Sequence, residues 1–574
     1  MRRSIWIRTS ARSSRRRRQT DHEPCRSFAL QSGTYERHSR DARAGLVHCG
    51  ERACVKEARH TAACSRASTQ RIRTGSIRSS IASEEPFVII AMNQPSDAVL
   101  PPSLPAGGEP GPVLTRRSWL TLPAWSAAGI VLTAVIFSAY ALVYPERMPV
   151  AIGALVEAIT GANPQPVHLS RPQQAPLSAV ALLGKEIFYD QTLSASGTQS
   201  CASCHSPKNS YGPDNAFPVQ LGGAHMSDAG YRPPPSLTYL YRQAPFSIGP
   251  DQGDTDAPVD LTQLASQATG AQRAQKTALA APAAPAMVPQ GGLFWDGRAD
   301  TLQDQAIGPL TNPVEMANAT PEDVARKLLQ TKYLDQFKQI FGAGIVANPS
   351  LLISEAMFAV GRYQTEDSSF HAFTSKYDYW LEGKARLTHA ELHGLQLFND
   401  KDKANCAGCH LSQPGKDGLP PVFTDAQYEA LGVPRNPAIP ANKNPEFFDM
   451  GVCGPFREDL AKQTQYCGMF LTPTLRNVAN RKVFFHNGVY HDLKQVMDFY
   501  NLRNTSPEKI YPRDASGKVQ KYNDLPPRYH ANVDVADAPF DRKLGEQPAM
   551  TEQDVQDIIA FMKTLSDGYK VEGS

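Results

Sequence analysis

The chain has 574 residues, 41% of them apolar, which is enough for more than one hydrophobic core. Its net charge of +3 divides unevenly, because residues 1–91 carry 19 Lys and Arg against 8 Asp and Glu, a surplus of +11 that leaves −8 on residues 92–574. An acidic body argues against nucleic acid as a partner and favours a basic redox partner.

Residues 1–91 are rich in Arg and Ser, include four consecutive arginines at 15–18, and show no sustained apolar periodicity. We therefore predict that this extension is unfolded. Two explanations stay open: translation begins at Met92 and the upstream part is an error of gene prediction, or these residues form a disordered basic arm. Residues 92–117 would then be a Pro-rich cytoplasmic tail.

Residues 118–144 are predicted to form a transmembrane anchor. They include 26 consecutive residues without a charge, 119–144, which is long enough to cross a hydrocarbon core of roughly 30 Å. Arg116 and Arg117 precede this run and place its N-terminal side in the cytoplasm, so the rest of the chain would lie in the periplasm, anchored to the inner membrane. Signal cleavage near Ala139–Ala141 is the alternative, because this short sequence resembles a signal-peptidase site.

After a linker at residues 145–175, two Cys-x-x-Cys-His motifs occur at residues 201–205 and 406–410. In this motif two thiols one turn apart bond covalently to the vinyl groups of a haem, and the adjacent imidazole ligates the iron. The sequence therefore predicts two covalently bound haem c groups. The residues that would attach and ligate them are Cys201, Cys204, His205, Cys406, Cys409 and His410.

A weak internal repeat precedes the two motifs, with Gly184–Asp190 before the first and Gly394–Asp400 before the second. The repeat indicates two related haem domains, which we place at residues 176–380 and 381–574. Helical signals are clearest at residues 551–565, where a capping box is followed by a single apolar face. We therefore predict an all-α fold with two c-type cytochrome domains facing each other, preceded by one N-terminal transmembrane helix.

Cys453 and Cys467 are the only other cysteines of the acidic body. In an oxidising periplasm they are expected to form a disulfide that closes a short loop and stabilises the fold by roughly 3 kcal/mol in the chain-entropy model. Two free buried thiols are the alternative. The expected pairing agrees with export, since disulfides persist outside the reducing cytoplasm.

Several separated segments resemble the bacterial di-haem cytochrome c peroxidases and their relative MauG, the enzyme that matures methylamine dehydrogenase. These segments are Leu183–Asp190, Leu293–Arg298, Gln305–Met316 and Thr472–Val478. The resemblance implies a periplasmic peroxidase with a peroxidatic N-terminal haem and an electron-transferring C-terminal haem. It also implies hydrogen peroxide as the substrate and a small cytochrome c or a cupredoxin as the electron donor.

The resemblance assigns Glu315 as the acid/base of the first haem. Cleavage of peroxide needs a group that takes a proton from one oxygen and returns it to the other, and a carboxylate can do both. Prolines at 309 and 313 predict a loop with a stiff backbone around this residue. Gln305 and Pro309 match further residues of the family's peroxide pocket.

Two residues of the segment Leu293–Arg298 receive roles from the same resemblance. Trp295 matches a tryptophan that lies between the haems in the family, where an indole can relay electrons. Arg298 is expected to pair with a haem propionate, because a guanidinium suits bidentate recognition of carboxylates.

The second iron has two candidate distal ligands. In residues 493–500 the apolar positions fall on one helix face, which carries both Met497 and Tyr500. Alignment places Tyr500 where the peroxidases have methionine and where MauG has tyrosine. A phenolate stabilises oxidised iron, so Tyr500 implies a MauG-like subgroup that shares oxidising equivalents with a His/Tyr-ligated second haem, a bis-Fe(IV)-type state.

Met497 is the rival ligand. For the function, the alternatives are a MauG-like oxidase that modifies a partner protein and a non-enzymatic di-haem electron carrier.

Two family features also stay open. A distal histidine on the first haem would correspond to His225, and the family's calcium-binding motifs are replaced by Arg232-Pro233 and Arg481-Lys482-Val483, so that calcium could bind only through backbone carbonyls.

Overall fold

The structure, a computed structural model, describes residues 150–251 and 287–571, together with six residues between Leu132 and Ala139. The chain divides into two units, Met1–Leu114 and Thr115–Ser574, and every described residue belongs to the second unit. The predicted extension, the cytoplasmic tail and most of the predicted anchor therefore lie outside the described residues.

Helices provide most of the regular structure in the described part of the chain, and short 3₁₀ turns connect many of them. The helices are α1 (Val150–Thr160), α2 (Ala179–Phe188), α3 (Cys201–Cys204), α4 (Leu302–Thr311), α5 (Pro321–Leu328), α6 (Leu334–Phe341), α7 (Pro349–Glu366), α8 (Lys376–Leu381), α9 (His389–Asn399), α10 (Leu493–Leu502) and α11 (Glu552–Lys563).

Helix starts follow local sequence signals. Ser178 caps α2 by accepting a hydrogen bond from the Ala181 N–H. The capping box predicted at the start of α11 is present: the Thr551 hydroxyl accepts from the Asp554 N–H, and the Asp554 carboxylate accepts from the Thr551 N–H. Such reciprocal bonds satisfy backbone donors that have no partner inside the helix.

Two hydrophobic cores form around two helix crossings that repeat one another. In the N-terminal core α2 crosses α7, and a Cβ atom at Gly184 would lie 1.8 Å from the Ala359 carbonyl oxygen. In the C-terminal core α9 crosses α11, and a Cβ atom at Gly394 would lie 1.9 Å from the Asp557 carbonyl oxygen. Because only glycine allows such close approach of two backbones, the glycines of the internal repeat have a structural reason.

The C-terminal core also contains side chains that precede residue 381. Leu169, Tyr377 and Trp380 are buried there, and the Trp380 indole donates to the Gly161 carbonyl oxygen. The buried Asp378 carboxylate of α8 forms two hydrogen bonds with the Arg476 guanidinium, at 2.6 and 2.7 Å. Helix α8 is therefore packed as part of the second core.

In the described part of the chain, six short strands form three two-stranded antiparallel sheets. They are β1 (Leu221–Gly222) with β2 (Asp228–Ala229), β3 (Ser247–Pro250) with β4 (Met287–Gln290), and β5 (Tyr428–Glu429) with β6 (Phe470–Leu471). Strands of two to four residues are too short to show the alternating pattern by which sequence reveals a strand.

The predicted fold class, an all-α chain preceded by a transmembrane helix, is therefore wrong. The structure contains the three small sheets, and among its described residues no helix combines the length and the apolar character needed to cross a membrane. The prediction rested on the uncharged run at 119–144, most of which lies outside the described residues.

The disulfide between Cys453 and Cys467 is formed, as the sequence predicted. It closes a loop that lies beside β6, since the Val452 N–H donates to the Met469 carbonyl oxygen. The same strand contacts the predicted relay residue, because the Leu471 N–H donates to the Trp295 carbonyl oxygen at 3.0 Å.

Candidate active site

The first Cys-x-x-Cys-His motif forms the single turn α3 and ends at His205. The His205 N–H donates to the Cys201 carbonyl oxygen at 2.9 Å, so the two thiols and the imidazole are held by one helical turn. The His205 Nδ1 lies 3.1 Å from the Tyr211 carbonyl oxygen. A carbonyl can only accept, so the neutral ring carries its proton on Nδ1 and keeps Nε2 as a potential iron ligand.

The second motif repeats this arrangement with a tighter turn. Residues Cys406–Gly408 form a 3₁₀ turn, and the His410 N–H donates to the Cys406 carbonyl oxygen at 2.8 Å. The His410 Nδ1 lies 2.9 Å from the Phe423 carbonyl oxygen. Burial lowers the pKa of His410 to about 4, as it does for His205, so both rings are neutral near pH 7.

Before a haem is attached, the buried thiols of both motifs favour the protonated form. Burial raises the pKa of Cys201 and of Cys406 to about 12, and that of Cys204 to about 11. Metal sites made of cysteine require thiolates, whereas thioether formation uses thiols. Among the described residues, no group of three or more His, Cys, Asp or Glu side chains is arranged to hold a metal ion.

Each motif opens into its own cavity. The first cavity has a volume of about 140 Å³ and the second about 470 Å³, and the walls of both are mainly apolar. Three buried polar atoms on these walls lack a hydrogen-bond partner: Gln199 Oε1 and Gln364 Oε1 in the first cavity, and His486 Nε2 in the second. Such atoms call for a bound group or its water. Because the two cysteines and the histidine of a motif also line each cavity, the residues present fit a covalently attached haem.

Glu315 lies in the wall of the first cavity, in the turn that follows α4. The Asn312 side-chain amide donates to its Oε1 at 2.7 Å, and the Gly223 N–H donates to its carbonyl oxygen at 2.8 Å. Burial raises the pKa of Glu315, while Arg298 and the Asn312 hydrogen bond oppose that shift. The carboxyl group is therefore held in place by a hydrogen bond. Because its pKa is raised, it exchanges its proton closer to neutral pH than an exposed glutamate does.

Gln305 and Pro309 also line the first cavity, but they stand on α4 rather than in a loop. Pro309 lies in the last turns of the helix, which ends at Thr311. Asn312 then takes an extended conformation, φ −64° and ψ 120°, as expected for a residue before proline. The stiffness predicted for the Glu315 backbone comes from a helix end followed by this extended residue.

Trp295 lines both cavities, together with Phe294 and Pro235. It is 8% exposed, and its indole Nε1 donates to the Pro233 carbonyl oxygen at 3.0 Å. The indole is thus fixed between the two candidate haem sites, where the resemblance places it.

Arg298 lines the first cavity but is already paired within the protein. Its guanidinium donates to both oxygens of Asp296, at 2.9 and 3.0 Å, and lies 3.6 Å from the centre of the Phe294 ring. Asp296 also binds Arg232, which holds Asp449 with two further hydrogen bonds, at 2.6 and 2.7 Å. Sequence reasoning missed Arg232 as a residue of this cavity, although an arginine before three prolines is an unusual signal.

Tyr500 and Met497 both line the second cavity, from α10. The Tyr500 ring stacks on Phe540 at 5.3 Å between centroids. Burial raises the pKa of Tyr500 well above its ordinary value, and the nearby thiols of Cys409 and Cys406 add to the shift. Met497 is 4% exposed and packs into the C-terminal core.

Two half-buried acids of the second cavity, Asp425 and Glu429, were also missed. Burial raises the pKa of Asp425 to about 6, and burial together with the neighbouring Asp534 and Asp425 raises that of Glu429 to about 8. Neither lies in a recognisable sequence motif, and Asp534 comes near them only through folding.

The two open family features differ in place: His225 lies away from the first cavity, whereas Arg232 and Pro233 line the first cavity and Arg481 lines the second. His225 is exposed in the turn between β1 and β2 and is not among the residues that line the first cavity. Near the replaced calcium motifs, Arg481 donates to the Pro234 carbonyl oxygen at 3.3 Å. Burial lowers the pKa of Arg481 to about 10.

Comparison with known proteins gives a consistent result. The family model described as di-haem cytochrome c peroxidase matches residues 178–386. The methylamine utilization protein MauG of Paracoccus denitrificans is 29% identical over 400 residues, which cover 68% of this chain and 89% of that protein. The cytochrome c551 peroxidase of Nitrosomonas europaea is 28% identical over 337 residues, covering 58% and 75%.

Solved structures agree with the sequence relatives. The crystal structure of the diheme peroxidase BthA from Burkholderia thailandensis is 33% identical, with a TM-score of 0.58, and the alignment covers 70% of this chain and 89% of that one. A BthA variant in which one tyrosine is replaced by methionine is 34% identical, with a TM-score of 0.59 and the same coverage.

Proposed function

The chain belongs to the di-haem cytochrome c peroxidase family, and from this premise we propose that it reduces hydrogen peroxide at the N-terminal haem, with Glu315 as the acid/base. The enzyme is an oxidoreductase that acts on peroxide and carries two covalently bound haem c groups. Each haem supplies an iron that exchanges single electrons. The reaction consumes two electrons and two protons for each peroxide and produces two waters.

The observation that carries the proposal is the position of Glu315 in the same cavity as Cys201, Cys204 and His205. Its carboxylate would take the proton of one peroxide oxygen and deliver it to the other, which becomes water. The Asn312 hydrogen bond at 2.7 Å orients the carboxylate for both transfers. Gln305 and Arg298, on the same walls, supply a hydrogen-bonding amide and a positive charge.

We assign the transfer between the two haem sites to Trp295. Support comes from its place in the walls of both cavities and from its indole hydrogen bond, which holds the ring still. A rigid aromatic group lowers the reorganisation needed when an electron passes through it. Among the described residues, Phe294 is the one other aromatic residue that both cavity walls share, and an indole is more readily oxidised than a phenyl ring.

Tyr500 is the ligand that we propose for the second iron. Its ring lies in the cavity of Cys406, Cys409 and His410, fixed by the stack on Phe540. The raised pKa of the free phenol disfavours the anion, so a bound ferric ion would have to stabilise the phenolate. Among relatives, the diheme peroxidase BthA has a solved structure of a variant in which methionine replaces one of its tyrosines.

The proposed electron donor is a small periplasmic cytochrome c or a cupredoxin. A net charge of −8 on residues 92–574 would attract a basic donor surface. The Cys453–Cys467 disulfide supports a location in an oxidising compartment, as does the covalent attachment of two haems. Association rates with such a donor should fall as the ionic strength rises.

Replacement of Glu315 tests the proposal. Glu315→Gln keeps the volume and the Asn312 contact but cannot shuttle a proton, so the rate of reaction with peroxide should fall roughly 10²- to 10⁴-fold. In the parent the rate should decline as the pH falls through the raised pKa of Glu315, above the usual 4.5, and this limb should vanish in the variant. Stopped-flow absorbance of the di-haem protein measures both.

Glu322→Gln is the matched control, because Glu322 is an exposed residue at the start of α5. It should react with peroxide at the parent rate. If Glu315→Gln also reacts at the parent rate, Glu315 is not the acid/base and only a structural role is left for it.

A further inference from the structure

A cluster of aromatic rings leads from the first cavity to the surface. Phe188 lines the cavity, and its ring centroid lies 5.4 Å from that of Tyr189 and 5.6 Å from that of Tyr363. Tyr211 stacks on Phe370 at 3.7 Å, and Phe370 lies 5.2 Å from Tyr363. Neighbouring rings at these separations are in contact or nearly so, which gives an unbroken aromatic connection.

The three tyrosines of the cluster differ in depth. Tyr211 and Tyr363 are buried, whereas Tyr189 is 43% exposed. The Phe188 ring joins all three, because its centroid lies 5.4 Å from that of Tyr189, 5.6 Å from that of Tyr363 and 6.0 Å from that of Tyr211. Tyr211 is the inner end, because its own carbonyl oxygen accepts the Nδ1 proton of His205. The sequence of phenols therefore begins beside the imidazole of the first haem motif and ends in solvent.

Tyr211 also has an outlet for its proton. Its hydroxyl oxygen lies 2.6 Å from Ser369 Oγ, and the Ser369 hydroxyl donates to Asp367 Oδ1, also at 2.6 Å. Because the Ser369 hydroxyl donates its only proton to Asp367, the Tyr211 hydroxyl must be the donor to Ser369. Ser369 is exposed, so a proton that reaches Asp367 can leave to water.

We propose that Tyr211 is a redox-active residue that returns electrons to the N-terminal haem site after peroxide reduction, and that Tyr189 is the surface site at which a small phenol replaces them. This inference rests on the proposed reaction of peroxide at the first haem. It adds a second route for electrons, which reaches the first haem site beside His205. This route does not pass through Trp295 or the second haem.

Each step balances. Peroxide reduction supplies the oxidant, and Tyr211 gives up one electron to the haem site while its O–H proton moves to Ser369 and the Ser369 proton moves to Asp367. An electron from Tyr189 then passes inward through the packed rings and restores Tyr211, which regains its proton from Asp367 through Ser369, while the exposed Tyr189 releases its hydroxyl proton to water. The external phenol loses one electron and its hydroxyl proton, and two such events complete the reduction of one peroxide.

The surface beside Tyr189 suits a small phenol. A groove of about 670 Å³ is lined there by Lys185, Asp190, Gln330 and Lys332 as well as by Tyr189. A phenol can stack on the exposed Tyr189 ring while its hydroxyl contacts the charged and amide groups of the groove. A folded protein donor would instead need a broad contact surface.

Spin trapping locates the oxidised residue. The full-length di-haem protein is mixed with one equivalent of peroxide and 2-methyl-2-nitrosopropane, and adducts are mapped by peptide mass spectrometry. We expect the adduct on Tyr189, and Tyr211→Phe should reduce it at least tenfold while the stopped-flow rate with peroxide stays at the parent value. Tyr529→Phe, at a half-buried tyrosine outside the cluster, should keep the parent amount of adduct.

The outcomes separate the two proposals. Normal peroxide reaction with no adduct on Tyr189, or with an adduct that Tyr211→Phe does not diminish, would refute the tyrosine route and leave the peroxide site intact. A parent protein whose N-terminal haem does not react with peroxide would refute the proposed function itself, since the trap would then have no oxidant to report.

Two further variants test the proton outlet and the surface site. Ser369→Ala keeps Tyr211 but removes its proton acceptor, so adduct formation should slow at least tenfold and its solvent isotope effect should change. Tyr189→Phe should slow the oxidation of 4-methoxyphenol at least tenfold, while turnover with a reduced small cytochrome c as donor stays unchanged. Parent rates of phenol oxidation in Tyr189→Phe would exclude the surface site.

Discussion

The two haem-binding regions share the geometry around the attached imidazole and differ in the other residues of the cavity. His205 and His410 both direct Nδ1 at a backbone carbonyl oxygen, at 3.1 and 2.9 Å. Both regions also rest on a helix crossing made possible by a glycine, Gly184 or Gly394. Cofactor attachment and helix packing are thus repeated features.

The remaining cavity walls are not repeated. The first cavity is small and carries the acid Glu315, whereas the second has more than three times the volume and offers Tyr500 and Met497. The acid comes from a helix end in a segment that has no counterpart in the internal repeat, and the phenol comes from α10. The difference teaches that the repeated part holds a haem, while the unrepeated parts decide what each haem does.

The largest expected effect on stability concerns the buried pair Asp378–Arg476, which ties α8 to the second core. Both side chains are fully buried, so Asp378→Asn leaves a guanidinium without its counter-charge and should cost about 3–5 kcal/mol. Arg476 holds the pKa of Asp378 below its usual value although burial acts the other way. The stabilisation is therefore present above the usual carboxylate pKa and lost as the pH falls through the lower folded value.

Guanidinium denaturation of the di-haem protein, followed separately at the two haems, measures this cost. The second haem's transition should shift more than the first's. Asp335→Asn, at the exposed pair with Lys338 on α6, is the control and should change stability by less than about 0.5 kcal/mol. Equal shifts for the two substitutions would mean that the buried pair does not hold the second core.

The second prediction concerns the repeated glycines. Gly184→Ala and Gly394→Ala place a methyl group 1.8 and 1.9 Å from a carbonyl oxygen, so each pair of helices must separate, at about 1–3 kcal/mol. Gly344→Ala meets no atom within 4 Å and should be neutral or stabilise by up to about 1 kcal/mol. The same denaturation assay applies. A cost at only one repeated glycine would show that the two crossings are not equivalent.

Much of the site could be predicted from the sequence because its signals are local. A Cys-x-x-Cys-His motif dictates one turn with two thiols and an imidazole, and the capping box of Thr551 and Asp554 marks the start of α11. The Cys453–Cys467 disulfide followed from the shortage of other cysteines. Each of these predictions needed only residues close in sequence or a count.

The errors and omissions arose where distant segments meet. Short strands such as β5 and β6 form because a loop after the second motif pairs with the segment after the disulfide. The sequence of neither segment contains a pattern that predicts this pairing. Pro309 lies inside α4 although proline usually ends helices, and the helix stops two residues later, at Thr311. Arg232 and Glu429 acquire their environments only through folding.

The smallest effect on folding, and the most specific effect on the second haem, is expected for Tyr500. Tyr500→Phe removes one hydroxyl and should change stability by about 1 kcal/mol or less. If the phenolate ligates the second iron, the variant should alter that haem's absorbance and magnetic spectrum and raise its midpoint potential, because an anionic oxygen favours the oxidised ion. The first haem should keep its spectrum and its rate with peroxide.

Met497→Leu distinguishes the rival ligand from the same face of α10. Met497 packs in the C-terminal core, so leucine preserves its apolar contacts and removes only the sulfur. A spectral change in Met497→Leu with none in Tyr500→Phe would assign the thioether as ligand and remove the MauG-like feature of the second site. The opposite pattern would show that the two regions, alike around the imidazole, are separated in function by a phenol on one and a carboxylate on the other.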